Sequence, residues 1–403
     1  MIILGIETSC DETAIAIIET RTQGGRFECR VIESLIHSQA ELHSSYGGVF
    51  PSLAKREHSK NLIPLLEKAI SKCDVRTSLD GHIFEAKKTE FSTRYGEQNP
   101  DLLQSFLHAD FLANIPKIDA IAVTEGPGLE PALWVGITFA KILGQLWDIP
   151  VIPVNHMEGH IVGSLLESDK AGGDWQKLKD IELPGIAFLL SGGHTELVAV
   201  EKNQTNPQTE SEKSFSMNYK IIGQTRDDAV GEAFDKVARL LGLPYPGGPN
   251  ISRLADIARK NNISSSVKLP RPMINSKDLD FSFSGLKTAV LYAVKKAEES
   301  GSFTDEYKQG LALEFEESVS EVLNSKLKTA INEYEAHAII IGGGVSANTL
   351  LRETFTNTAK EFDIPIFLPS KHISGDNALM IALAGAMNTN ANRDIRADGT
   401  KKL

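Results

Sequence analysis

Apolar and polar positions along the chain alternate in a way that predicts an α/β protein. Residues 2–6 form an apolar run typical of a buried strand, residues 7–13 a short polar turn, and residues 14–18 a returning strand. The same order recurs between Ile186 and Val200. Each unit alone is also consistent with an ordinary hairpin, but the recurrence indicates an internal duplication. We therefore expect two similar domains whose turns face each other across a cleft.

Small residues and hydroxyl groups make up the second turn, which reads Ser191-Gly192-Gly193-His194-Thr195-Glu196. Residues of this kind leave backbone N–H groups accessible, so the turn could contact a phosphate or another oxyanion. A further glycine-rich turn, Gly342-Gly343-Gly344, follows the apolar run 338–341. Nucleotides often lie against such a turn between a strand and a helix. Three glycines by themselves are nevertheless weak evidence.

Two segments lack a clear hydrophobic period. Residues 71–116 mix polar residues with scattered aromatic ones, which predicts an insertion or an extended loop. Residues 202–214 lack the apolar side chains that a strand or helix would bury, and they predict a mobile loop between strands.

The composition is that of a globular protein from a reducing compartment. Of 403 residues, 41% are hydrophobic and 24% are charged, and the three cysteines are too few for a disulfide framework. The chain begins on a predicted strand rather than on a targeting segment, and no apolar run reaches the roughly 20 residues that cross a bilayer. We expect a soluble cytoplasmic protein without a membrane partner.

A formal net charge of −11 argues against a nucleic-acid footprint that covers the whole surface. One local exception lies at 268–296, where lysines and Arg271 outnumber the acidic residues and where Phe281, Phe283 and Tyr292 are close in sequence. This segment is equally consistent with an RNA-facing patch and with an ordinary solvated face.

The sequence His156-Met157-Glu158-Gly159-His160 places two imidazoles four residues apart, on one face of a helix. A zinc protease would carry its glutamate directly after the first histidine, whereas Glu158 stands two places on and points to another side of the helix. Without a third ligand, the pair is equally consistent with two unrelated histidines. A metal site therefore needs a further ligand from elsewhere in the chain.

Nine motifs in one order resemble the universal tRNA threonylcarbamoyladenosine synthase family, the TsaD family, once described as O-sialoglycoprotein endopeptidases. They are ETSCDET, EGPG, HMEGH, SGGHTEL, DDAVGEAFDK, YPGGP, FSFSGLKT, GGGVSAN and SGDNA, and they span almost the entire chain. The resemblance implies an actin-like or Hsp70-like ATPase fold, with two duplicated α/β domains of mixed sheets flanked by helices around a central cleft.

The same resemblance implies a reaction. The threonylcarbamoyl group of threonylcarbamoyl-AMP passes to N6 of adenosine 37, in tRNAs that read ANN codons, and forms t6A. One divalent metal ion per subunit is implied, with His156, His160 and Asp376 as its ligands. Two histidines and one carboxylate suit Fe(2+), the metal usual in the family, and Zn(2+) would fit as well.

For the substrate, the family likeness assigns the phosphate and carbamoyl end to the second turn, with Ser191, Gly192, Gly193, His194 and Thr195. It also implies that Asp235 accepts hydrogen bonds from ribose hydroxyls, that Gly248 lets the adenosine approach the backbone, and that Asn348 holds it. One departure is Ser252, where many relatives carry an aspartate. For the general base, His194, Asp11 and Glu12 are open candidates, each of which could instead orient the substrate or support the fold.

The likeness further implies a domain division and partners. An N-terminal subdomain is expected at 1–150 with an insertion near 71–116, and a C-terminal subdomain at 151–403 would hold the metal and adenylate site. The last helix, near 376–390, is expected to pack back on the N-terminal subdomain. tRNA, a TsaB-like paralogue and a TsaE-like small ATPase are the implied partners.

Three other functions remain alternatives. A metal-dependent glycoprotein endopeptidase is suggested by the histidine pair but opposed by the position of Glu158. An actin-like ATPase or kinase is compatible with the expected fold, because a fold does not fix a function. A nucleotide-gated scaffold without activity is opposed by the intact set of metal ligands.

Overall fold

The computed structural model describes residues 1–24, 26–167, 170–202, 217–388 and 394–403. The loop expected at 202–214 therefore lies, beyond Lys202, outside the described residues. No helix within the described ranges is both long enough and apolar enough to pass through a membrane.

The strands are β1 (Ile2–Glu7), β2 (Glu12–Gln23), β3 (Arg26–Ser38), β4 (Val75–Ser78), β5 (Asn114–Pro116), β6 (Ala120–Gly126), β7 (Val151–Asn155), β8 (Gln176–Lys177), β9 (Gly185–Leu190), β10 (Thr195–Lys202), β11 (Met217–Gln224), β12 (Ala338–Gly342) and β13 (Ile366–Phe367).

The helices are α1 (Ala40–Ser44), α2 (Pro51–Ile70), α3 (Gly81–Tyr95), α4 (Pro100–Leu107), α5 (Glu130–Trp147), α6 (His156–Gly163), α7 (Val230–Leu240), α8 (Gly247–Asn261), α9 (Ser284–Glu299), α10 (Asp305–Glu333), α11 (Thr349–Glu361) and α12 (Ala378–Met387). Short 3-10 helices cover Asp110–Ala113 and Gly344–Ala347.

Two mixed sheets share one topology. The first has the strand order β7-β6-β1-β2-β3-β8, and the second has the order β11-β10-β9-β12-β13. In each sheet an antiparallel hairpin opens the unit, β1 with β2 and β9 with β10, and the first hairpin strand then pairs in parallel with a later strand, β6 or β12. The internal duplication and the actin-like α/β fold expected from the sequence are confirmed.

Two helices lie between the sheets. α12 packs against β1, β2 and β6 of the first sheet, and α6 contacts both α12 and β12 of the second. One apolar cluster accordingly joins the two halves and includes Ala122, Leu189 and Leu383. The outer faces have separate cores, under α2 and α5 in the first half and around α10 in the second. Side chains carried by α6 and by the start of α12 are thereby fixed at the junction of the halves.

The segment 71–116 is not an extended loop, because it contains α3, α4 and the two-stranded sheet of β4 and β5. Phe84, Phe91 and Tyr95 share the buried face of α3. Lys88 occupies the same face, where its Nζ lies 2.8 Å from Asp110 Oδ1, and it breaks the apolar period in the sequence. The apolar residues of α3 do recur at helical spacing, but the buried, ion-paired Lys88 interrupts this pattern in the sequence.

The first sheet continues beyond residue 150. β7 pairs in parallel with β6, and the short β8 pairs with β3. Strands on both sides of the expected division at 150 thus belong to one sheet, and β7 leads directly into α6.

Candidate metal and substrate site

Both histidines of the pair lie on α6. Asn155 caps this helix, since its Oδ1 accepts from the backbone N–H groups of Met157 at 2.8 Å and Glu158 at 3.4 Å. His156 and His160 are one turn apart, with ring centroids separated by 4.7 Å, and both are buried. The local sequence therefore presents two imidazoles to the same side of the helix, as their spacing predicts.

Asp376 completes a group of three just before α12. Its Oδ1 lies 3.3 Å from Nε2 of His156 and 3.2 Å from Nε2 of His160, and the candidate ligand atoms all lie within 4.8 Å of one another. Close packing of the two helices makes this possible, because a Cβ on Gly163 would stand only 3.0 Å from Met380 Cβ. Small residues on α6 thus let α12 bring the carboxylate to the imidazoles.

The three side chains fit a divalent metal. His160 Nε2 is buried and, among the described residues, has no hydrogen-bond partner, since its contact with Asp376 lacks hydrogen-bond geometry. Such an orphaned nitrogen is costly unless something else occupies its lone pair. Two imidazoles and one carboxylate are a donor set that Fe(II) and Zn(II) accept.

The pKa values of Asp376 and His160 are shifted by burial and by the charges of their neighbours. Burial raises the pKa of Asp376, but the neighbouring imidazoles outweigh burial and hold it well below its usual range. Burial lowers the pKa of His160. Although burial lowers the pKa of His156, the charges of Asp376 and Glu7 raise it well above its ordinary value, so a metal ion would have to displace a proton from this ring.

A residue that the sequence analysis passed over also contacts this group. Glu7, at the end of β1, is fully buried, and its Oε2 lies 3.1 Å from Nδ1 of His156. The signal in the sequence was an acidic residue at the end of an otherwise apolar strand. That position alone did not distinguish Glu7 from Asp11 and Glu12 in the same turn.

Glu158 lies away from the three ligands, as its offset predicted. Its Oε1 accepts a hydrogen bond of 3.4 Å from the Tyr219 hydroxyl on β11, and burial raises its pKa. It contacts none of the three candidate ligands in the described part of the chain, so the structure offers no glutamate in the position that a zinc protease uses.

The turn between β9 and β10 is a tight hairpin with one exposed edge. The backbone N–H groups of Gly193 and His194 donate to Ser191 Oγ at 3.3 and 3.0 Å. Gly192 and Gly193 are exposed, and a Cβ on either would meet nothing within 4 Å. Thr195 differs from its neighbours, because it is buried and its Oγ1 accepts from the Val230 N–H at the start of α7.

This turn lies beside the three candidate metal ligands His156, His160 and Asp376. A Cβ on Gly342 would stand 3.1 Å from His160 Cβ, and one on Gly343 would overlap the carbonyl oxygen of Leu190. The glycine-rich end of β12 therefore fits between α6 and the end of β9. Burial and the neighbouring charges of His156 and His160 lower the pKa of His194 to about 4, so its imidazole is neutral near pH 7.

The other expected substrate residues lie on α7, α8 and the turn before α11. Asp235 Oδ1 accepts from the Gly247 N–H at 2.6 Å, which ties α7 to the start of α8. Gly248 has open space where a side chain would stand. The structure thus leaves the backbone at Gly248 free for close approach.

Asn348 is already engaged within the protein. Its Oδ1 accepts from the Leu351 N–H, and its Nδ2 donates to Ser252 Oγ at 2.8 Å and to Glu316 Oε1 at 2.6 Å. Ser252 also donates to Glu316, and Arg259 pairs with the other oxygen of that carboxylate. Ser252, the departure noted above, therefore supports a buried carboxylate that comes from α10.

Asp11 and Glu12 form a carboxyl pair in the first turn. Burial, followed by the charge of Asp11, raises the pKa of Glu12 well above its usual range, and burial also raises that of Asp11. The Tyr245 hydroxyl, from the other half of the chain, lies 3.5 Å from Asp11 Oδ2. The segment before α8 therefore lies against the first turn.

The basic segment 268–296 is divided by the fold. Arg271 pairs with Glu314 and Glu321, and Phe281 and Phe283 are fully buried in the core of the second half. Tyr292 on α9 is 67% exposed. The continuous patch suggested by the sequence is therefore interrupted by buried aromatic residues and by ion pairs within the protein.

Comparison with known proteins gives one consistent result. The family model of TsaD, described as tRNA N6-adenosine threonylcarbamoyltransferase, matches residues 30–82 and 97–383. Residues 83–96, which the match leaves out, cover most of α3 and the residue that follows it. The chain is also similar to solved structures of the Acidaminococcus fermentans (R)-2-hydroxyglutaryl-CoA dehydratase component A (TM-score 0.43, 13% identity, 96% of each chain) and full-length HypF (TM-score 0.46, 13% identity, 96% of this chain and 46% of that one). At these values neither informs the function of this chain.

Among curated relatives, the tRNA N6-adenosine threonylcarbamoyltransferase of Neisseria gonorrhoeae is 37% identical over 98% of this chain and 96% of its own. That of Herminiimonas arsenicoxydans is 39% identical, over 98% of this chain and 94% of its own. The family model covers most of this chain, and the relatives match nearly all of it. This chain therefore belongs to the TsaD family of tRNA N6-adenosine threonylcarbamoyltransferases.

Proposed function

We propose that the donor is threonylcarbamoyl-AMP and the acceptor is N6 of adenosine 37 in tRNAs that read ANN codons. The observation that carries this proposal is the position of the metal group directly beside an exposed, glycine-rich turn. Threonylcarbamoyl-AMP presents a carbonyl, the carboxylate of its threonyl part and a phosphate, which are groups that a metal and backbone N–H donors recognise together.

In this proposal His156, His160 and Asp376 hold one divalent ion, with Fe(2+) ahead of Zn(2+). When bound, such an ion acts as a Lewis acid that orients and polarises oxygen atoms of the donor. The protein contributes a rigid support, because these residues lie on α6 and directly before α12, two helices that pack together between the sheets.

We assign the turn at Ser191–His194 to the developing oxyanion. The N–H groups of Gly193 and His194 donate to Ser191 Oγ, so a ligand oxygen would bind them by displacing that hydroxyl. With a pKa of about 4, His194 is a weak base. It therefore serves as a neutral hydrogen-bonding group near the substrate, and Thr195 supports the turn through α7.

The adenylate would lie along the second half of the cleft, over Asp235 and Gly248. Asp235 uses one oxygen to cap α8 and would accept from ribose hydroxyls with the remaining lone pairs. Asn348 would reach the adenosine only by exchanging a hydrogen bond with Ser252 or Glu316, so we assign it a supporting role in the unliganded protein.

The reaction is an acyl transfer. The N6 amine attacks the carbamoyl carbon, a new C–N bond forms, the bond from that carbon to the phosphate oxygen breaks, and AMP leaves while the amine loses a proton. An exocyclic adenine amine is a poor nucleophile, so positioning supplies much of the rate. Asp11 and Glu12, across the cleft, are the candidates for proton acceptance.

A TsaB-like paralogue and a TsaE-like small ATPase are the proposed protein partners, and the cytoplasm is the proposed location. Exposed apolar side chains from the end of β3 to the start of α2 support a protein-binding face, and they include Ile36, Leu42, Tyr46 and Phe50. Tyr46 and Phe50 stack with centroids 5.4 Å apart, which orders this surface without burying it.

The test combines purified chain, the two partners, threonylcarbamoyl-AMP and an ANN-reading tRNA, followed by mass spectrometry of digested tRNA for t6A. We expect t6A with wild-type protein and none with His156→Ala. Modification by that variant, or its absence with wild type, would exclude the proposal. A tRNA with guanosine at position 37 is the matched control for the acceptor.

A further inference from the structure

Glu7 makes a contact that none of the roles above requires. Its carboxylate is fully buried at the end of β1, with Oε2 3.1 Å from His156 Nδ1, on the opposite side of the ring from Asp376. A buried carboxylate is costly unless its oxygen atoms are satisfied. The remaining contacts of Glu7 show how it is kept there.

Three groups fix the Glu7 carboxylate. The Ser9 N–H donates to Oε1 at 2.5 Å, and the Thr124 hydroxyl donates to Oε2 at 2.5 Å. His156 Nδ1 is the third partner, with Ser9 Oγ 3.3 Å from the same nitrogen. Backbone and side-chain donors from β6 and the first turn therefore hold the carboxylate in one orientation, facing the imidazole.

We infer that Glu7 is a positioning residue that holds His156 as its Nδ1–H tautomer and so aims the Nε2 lone pair at the metal position. An imidazole has two nitrogen atoms, and the hydrogen bond made by one decides which is free to bind a metal. A carboxylate behind a ligating histidine also raises the electron density that the ring offers. Glu7 does this from the first half of the chain.

The inference connects the two halves of the site. The end of β1 carries Glu7, α6 carries His156, and the start of α12 carries Asp376, so a row of carboxylate, imidazole and carboxylate crosses the junction between the sheets. It rests on the proposed metal site. It adds that the first glutamate of the N-terminal ETSCDET motif tunes that site without touching the metal or the substrate.

The experiment compares metal binding by the full-length chain as wild type, Glu7→Gln, Thr124→Val and Glu125→Gln. Glu125 is the matched control, because it is also a buried glutamate at a strand end but pairs with Lys401 rather than with His156. Each chelator-treated protein is titrated with Zn(2+) against a competing chelator, and the zinc-loaded proteins are examined by ¹⁵N NMR of their histidines.

Glu7→Gln should weaken zinc binding by about 10- to 100-fold, the range for partners behind a ligating histidine, and should change the ¹⁵N signals of His156. Thr124→Val, which leaves the carboxylate but removes one of its donors, should weaken binding by a smaller factor, and Glu125→Gln should match wild type. If Glu7→Gln does not fold, the zinc affinity of Thr124→Val decides whether the Glu7 carboxylate supports metal binding.

Two outcomes would overturn the inference, and they differ from each other. If wild type binds zinc tightly and Glu7→Gln and Thr124→Val bind it equally well, Glu7 does not position His156, while the proposed metal site still stands. Failure of wild type to bind zinc or Fe(2+) at all removes the proposed metal site, and the role of Glu7 with it.

Discussion

Asp376 Oδ1 lies 3.3 Å from His156 Nε2, although more than half the length of the chain separates the two residues. The contact depends on two helices from different parts of the sequence, α6 and α12, which pack together between the sheets. We expect that removing either side chain leaves the packing of these helices in place and empties the proposed metal site.

Asp376→Ala should abolish both metal retention and t6A formation, because two imidazoles alone bind a divalent ion weakly. The measurements are metal content by mass spectrometry and t6A in digested tRNA. His337→Ala is the control, since His337 is half exposed and pairs with Glu182 at the surface. Equal metal content in Asp376→Ala and wild type would contradict the assigned ligand set.

Gly192→Ala should fold normally and lose activity. A Cβ at this position meets no protein atom within 4 Å, so a loss of t6A formation with unchanged thermal stability would locate the substrate at the turn. Gly231→Ala is the contrasting variant, because its Cβ would stand 2.7 Å from the Ser191 carbonyl oxygen and disturb the turn itself. Full activity in Gly192→Ala would argue that nothing binds there.

Gly5→Ala should destabilise the protein by about 1 to 3 kcal/mol and weaken metal binding, as is usual for overpacking against backbone. A Cβ on Gly5 would overlap the Ala378 carbonyl oxygen in the first turn of α12, next to Asp376. Gly285→Ala, where nothing lies within 4 Å, is the control. Chemical denaturation and zinc titration would check both effects, and unchanged metal affinity would show that α12 adjusts without moving Asp376.

Ser252→Asp should lower stability rather than restore a substrate contact. Ser252 donates to Glu316, which is 1% exposed, and an aspartate would place a second carboxylate against it. Loss of this hydrogen-bond donor beside a buried carboxylate should lower the free energy of unfolding by about 1 to 3 kcal/mol. Denaturation of Ser252→Asp and Ser252→Ala gives the comparison, and the aspartate variant should be the less stable of the two.

Stability should fall as the pH drops from neutrality towards 4, in part because of His58. Burial lowers the pKa of His58 to about 4 from the ordinary value of 6.5. Between these values the unfolded chain binds the proton and the folded chain does not, so acidification favours unfolding. Protonation of His58 should lower the free energy of unfolding by about 2 kcal/mol between pH 7 and pH 5.

His58→Gln should reduce that pH dependence, whatever its effect on absolute stability. Nδ1 of His58 lies 2.8 Å from the Thr13 hydroxyl and Nε2 lies 3.0 Å from the Cys10 carbonyl oxygen, contacts that a glutamine can partly replace. Denaturant titrations at the two pH values measure the difference. An equal slope in wild type and variant would show that other groups, such as His43, carry the effect.

Much of the fold could be predicted from the sequence. The repeated strand-turn-strand pattern gave two duplicated units, and the order of nine motifs gave the family, because alternation and turn residues are local properties. The helical nature of 71–116 could not be predicted in the same way, since Lys88 shares the buried face of α3 with Phe84 and Phe91. A charge that is neutralised by tertiary contacts has no local signature.

By itself the sequence determined that His156 and His160 share a helix face and that Glu158 does not, because both follow from helical geometry. Only the tertiary structure decided which groups meet that face. Glu7 and Asp376 reach His156 from the end of β1 and the start of α12, and Ser252 reaches Glu316 on α10. Such contacts depend on how the sheets and helices pack. The sequence separation of two distant residues does not indicate whether they are in contact.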